Sequence, residues 1–127
     1  MLSIRREQMK VLEAAQERRF RESLRRHVRH ELREETRALQ DDVVKQRIDL
    51  GVDRGRHYGL RLERDLMLFV DLDFALAPNF EQLPNLLWAR RILASRTIEP
   101  DAKMDMIYQR LAARQAPQEE PGTFEGA

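Results

Sequence analysis

Between Glu63 and Leu93 the chain reads ERDLMLFVDLDFALAPNFEQLPNLLWARRIL, and this stretch constrains the fold more than any other. It is the most apolar part of a chain in which 35% of residues are charged, so any core has to be built here. It holds Phe69, Phe74, Phe80 and the only tryptophan, Trp88. Leu66, Phe69, Val70 and Phe74 keep a helical period, and Met67, Leu68, Leu72 and Leu76 fill much of the remaining circumference. A helix apolar nearly all round belongs at the centre of a bundle. Asp71 and Asp73 interrupt it. Two positions apart on a helix they face different sides, which excludes a paired-carboxylate site. At least one is expected at a polar edge or against a buried arginine, because a carboxylate taken out of water needs a partner.

The flanking segments read as helices that pack onto this centre. No Gly or Pro occurs before Gly51, and Ser3 is a plausible N-cap for a long first helix over residues 4 to about 33. Met9, Leu12, Phe20, Leu24, Val28 and Leu32 form its apolar stripe. The other side is arginine-rich, with Glu17–Arg21 and Glu22–Arg26 at the i,i+4 spacing of ion pairs. That side is either a solvated helix face or a docking surface for an acidic partner. Apolar spacing becomes irregular at Glu34 and Glu35, so a break is expected between Val28 and Gln40. Asp41 or Asp42 suits the N-cap of a second helix ending at His57 or Tyr58, with Val44, Ile48 and Val52 inward. Gly51, Gly55 and Gly59 fall one turn apart, which suits close approach of another helix. Gly59 also suits the left-handed position that ends a helix.

The third helix starts near Glu63 and Asp65. Ala77–Pro84 is a loop with Phe80 as its anchor. A fourth helix covers about Asn85–Ala94, and a fifth begins at Pro100 and runs to about Arg114, burying Met104, Ile107, Tyr108 and Leu111. No useful β alternation occurs. The expectation is an all-α single-domain bundle of about five helices over residues 1–114, with a flexible acidic tail over residues 115–127.

Composition narrows the function classes. Twenty-three basic and 22 acidic side chains leave a net charge of +1, which gives no global attraction to nucleic acid. Residues 1–40 nevertheless hold eleven Lys/Arg against seven Asp/Glu. Without cysteine there are no disulfides, thiolate ligands or cysteine nucleophiles. Phosphate-loop, nucleophile-elbow and H-E-x-x-H motifs are absent. His27 and His30 lie three apart, with no third ligand evident. The expectation is a non-enzyme with no cofactor, no metal and no catalytic residues. The N-terminus lacks an apolar signal region and no run reaches the roughly 20 residues of a membrane span. These features suggest a soluble cytoplasmic protein.

The central stretch also carries a resemblance. Tyr58-Gly59-Leu60, then Glu63-Arg64-Asp65, the internal Asp71, Phe80, Leu83-Pro84, Trp88-Ala89 and Ile92-Leu93 are similar to a family of small helical proteins. So is the opening Ile4-Arg5 with Glu7-Gln8. Genes for that family lie in bacterial type VI secretion clusters, beside spike, PAAR-repeat or effector genes. The likeness covers roughly residues 4–111. The chain departs from it in lacking a proline near Val28–Arg33, where such relatives often break the first helix. The resemblance brings no catalytic residues. It implies an accessory or adaptor that loads or holds a secreted effector or spike component, or alternatively an immunity protein that neutralises a toxin. A nucleic-acid-binding regulator is the third reading. Arg18, Arg21, Arg25 and Arg29 on the first helix, and Phe80 and Gln82 in the loop, are the candidate partner contacts. Pairing of the first helix with a second copy is left open.

Overall fold

A computed structural model describes residues 2–115, with side chains described for residues 5–114. Residues 116–127, most of the expected tail, lie outside that range. The described residues form an all-α bundle: α1 (Leu2–Glu31), a four-residue α2 (Arg33–Thr36), α3 (Asp41–His57), α4 (Glu63–Ala75), two short 3-10 turns (Phe80–Gln82 and Pro84–Leu86), α5 (Leu87–Ala94) and α6 (Pro100–Gln115).

The chain breaks after α1 at Leu32, where the backbone leaves helical geometry (φ −117°, ψ 50°). No proline is needed for this. The Thr36 hydroxyl, fully buried, donates to Leu32 O at 2.9 Å and so takes up a carbonyl at the end of α1. Gln40 precedes α3, and Asp41 and Asp42 are its first helical residues instead of its cap. Their carboxylates complement the positive end of the helix dipole.

α4 is the centre, as its all-round apolar pattern requires. Leu66, Phe69 and Val70 are fully buried, and the Phe69 ring lies 5.2 Å from Phe80 and 6.1 Å from Tyr58. α3 and α4 form an antiparallel hairpin joined by Gly59, which ends α3 at φ +93°. Gly51 and Gly55 face α4. A Cβ on Gly51 would stand 3.1 Å from Val70 Cγ2, and one on Gly55 would stand 2.9 Å from Leu66 Cδ2. Alanine gains about 1 kcal/mol of helix propensity over glycine. Gly51→Ala is therefore expected to leave stability within about 0.5 kcal/mol of the parent, while Gly55→Ala, pressed against a fully buried leucine, lowers it by about 1–2 kcal/mol. Urea unfolding midpoints of the two variants measure the difference.

α1 runs antiparallel to α3. Arg29 meets Asp41, Arg21 meets Asp49, and Glu17 meets Arg56, so the end of α3 is reached at the level of Glu17. Residues before that level extend past the partner helix. Accordingly, Phe20, Leu24 and Val28 are buried, whereas Met9 and Leu12 are 53% and 59% exposed. These two do not belong to the core stripe, contrary to the sequence expectation. The reason is length: α1 spans about 45 Å at 1.5 Å per residue, more than α3 or α4 can cover.

Candidate docking surface

The six candidate contacts divide into structural and surface groups. Arg21 is structural. Its guanidinium donates to Glu17 Oε2 at 2.6 Å, Asp49 Oδ1 at 2.9 Å and Asp53 Oδ1 at 3.1 Å, tying α1 to α3. Arg56 adds two bonds to Glu17, at 2.7 and 2.9 Å. The Arg56 bonds, opposed by burial and joined by Arg21, hold the Glu17 carboxyl down at about 2. Its contribution to stability is thus in place above the ordinary carboxylate range and is lost as pH falls toward 2. Arg29 is structural as well. It donates to the carbonyls of Thr36 and Leu39 and to Asp41, clamping the turn between α1 and α3. Neither arginine is a spare cation.

Phe80 is fully buried and packs on Phe69, so it is a core residue and presents no surface to a partner. Gln82 is exposed, and its Oε1 accepts a bond from Arg90 at 2.8 Å. Arg25 is partly exposed and bonds Glu22 one turn earlier. Arg18 is exposed and makes no ion pair.

The loop around Phe80 is fixed from below by a charge cluster in which Asp73 meets the arginine expected of one of the two α4 aspartates, with Glu81 as an unforeseen second acid. Arg54 donates to Asp73 Oδ1 at 2.6 Å and to both Glu81 oxygens at 2.8 and 3.0 Å. Tyr58 Oη donates to Glu81 at 3.0 Å, and Asp73 also accepts from the Asn79 backbone at 2.9 Å. Burial raises the Glu81 carboxyl, but Arg54, a backbone amide and the Tyr58 hydroxyl together outweigh it and the net shift is downward. Lys103 is a second buried cation. Its ammonium donates to Tyr58 O at 2.9 Å and Leu93 O at 2.6 Å, where the C-terminal ends of α3 and α5 meet. Burial alone lowers its pKa.

His27 and His30 do not converge. His27 Nε2 lies 2.9 and 3.0 Å from the Asp71 oxygens and links α1 to α4, while His30 is exposed beside Glu31. Asp71 and Asp73 thus serve two different partners, as the helical spacing required. Among the described residues, no group of three or more His, Cys, Asp or Glu is placed to hold a metal ion, and no helix is long and apolar enough to cross a membrane.

The outer side of α1 is the longest exposed stretch among the described residues. Residues 5–14 are exposed throughout, including Met9, Val11 and Leu12. Farther along, Arg25, Arg26, Arg29, His30 and Arg33 line one open groove on α1 and α2. Comparison with protein-family models, curated proteins and solved structures finds no match to this chain.

Proposed function

We propose that the chain is a non-catalytic protein-binding module that captures its partner on the outer side of α1. The observation that carries this reading is the overhang of α1. Val11 and Leu12 are 66% and 59% exposed on a helix segment that neither α3 nor α4 covers. A single exposed leucine is ordinary, but adjacent exposed aliphatics on a projecting helix fit helix-in-groove recognition. Elsewhere the large exposed aliphatics, such as Leu50 and Leu62, are not adjacent in sequence. The resemblance to accessory proteins of type VI secretion clusters supports a partner that is a secreted effector or a spike component, met in the cytoplasm.

The test is co-purification of the tagged chain with the product of an adjacent spike or effector gene. Val11→Ser/Leu12→Ser is expected to reduce capture at least about tenfold. Full capture by this variant would remove the outer side of α1 as the docking surface.

A further inference from the structure

Resting on the docking reading above, we propose that the segment taken by α1 is an acidic amphipathic helix, with apolar residues seated at Val11 and Leu12 and carboxylates on Arg18, Arg26 and Arg33. Val11, Arg18, Arg26 and Arg33 recur at intervals of seven, eight and seven residues. The first two intervals lie within α1 and are each two helical turns, so Val11, Arg18 and Arg26 share one lane about 22 Å long, and Arg33 opens α2 just past the break at Leu32, where it lines the same groove as Arg26. Arg18, Arg26 and Arg33 are all exposed and none makes an ion pair. The one acid along this lane, Glu22, is already bonded to Arg25.

That surplus is local. The chain carries a net charge of only +1, and the α3-facing side of the same helix is neutralised through Glu17, Arg21 and Arg56. Guanidinium groups pair with carboxylates through two parallel bonds, so a row of them selects a row of Glu or Asp.

Three other occupants fit less well. Nucleic acid has no use for the apolar end, and no Phe, Tyr or Trp ring is exposed on this side among the described residues to stack a base. A bilayer surface calls for an apolar face along the whole helix, whereas here the apolar residues occupy only its first part. A second copy paired along the lane would set arginines against arginines or against the apolar end.

The test titrates the full chain with a fluorescein-labelled synthetic helix carrying leucines in one half and glutamates in the other, followed by anisotropy. Binding is expected to weaken with added salt, and at least about tenfold in Arg18→Glu/Arg26→Glu/Arg33→Glu. The three arginines hold nothing in place, so the melting temperature should stay within about 2 °C of the parent. The matching glutamine variant reads the same loss without reversing charge. No binding of the labelled helix, or binding that the reversal leaves unchanged, overturns the proposal. So does tighter binding of duplex DNA or of phosphatidylserine vesicles, or self-association abolished by the same reversal. Partner capture that needs Val11 and Leu12 but survives the reversal overturns the acidic assignment alone. Capture that depends on neither overturns the docking reading beneath it.

Discussion

Arg54→Leu is expected to destabilise the chain by about 3–5 kcal/mol, the range for removing one member of a buried ion pair. The side chains left behind are Asp73, 3% exposed, and Glu81, fully buried. The Tyr58 hydroxyl and the Glu81 backbone amide would remain to Glu81, and the Asn79 amide to Asp73, with no cation among them. The loss should depend on pH in a predictable sense. In the parent, Glu81 titrates below its usual range, so its contribution is present at neutral pH and is lost as acid protonates it. In the variant, burial acts on Glu81 without its cation and raises its pKa. Charged Glu81 is then the destabilising form, and the deficit relative to the parent shrinks as pH falls from 7 toward about 4.5. Urea unfolding of both proteins across that range measures it. A deficit independent of pH would mean that the carboxylates had found other partners.

Phe69→Ala is expected to cost about 3–5 kcal/mol. The ring is fully buried at the centre of the bundle, between Phe80 and Tyr58, with the Arg54 guanidinium 5.0 Å from its centroid. Its loss opens a cavity beneath the Phe80 turn and removes one wall of the ion cluster. The two effects are coupled, so Phe69→Ala and Arg54→Leu together should cost less than the sum of the single changes. Domains of this size have about 5–15 kcal/mol in total, so either change alone takes a large share. Thermal melts followed by circular dichroism measure the single and double variants.

Helical periodicity alone made much of this fold legible. The pattern around Phe69 placed α4 at the centre because a helix apolar on all sides has nowhere else to go. The one-turn spacing of Gly51 and Gly55 announced a close helix contact, and α4 supplies it. Periodicity failed at Met9 and Leu12. It reports which side of a helix is apolar, but not where the neighbouring helices end.

The candidate site was less legible, for a different reason. Arg18 and Arg21 look alike in sequence, and what separates them is Asp49 and Asp53, about thirty residues farther on and brought near only by the fold. The structural role of Arg29 was hidden likewise, since its acceptors include two backbone carbonyls that no side-chain pattern reveals. Glu81 and Lys103 were missed because an isolated charge in a polar-looking segment carries no sign of burial. Glu81 follows the core anchor Phe80 directly, and that adjacency was the one available hint.

In the proposed reading, the bundle held by α3, α4 and their ion pairs is separate from the docking surface on the overhanging part of α1. Paired readings on the same preparations of Val11→Ser/Leu12→Ser test that separation most directly. The measurements are melting temperature and the amount of spike or effector protein retained. The predicted result is a melting temperature within about 2 °C of the parent together with loss of retention. A fall in melting temperature comparable to that of Phe69→Ala, or retention equal to the parent, would contradict it.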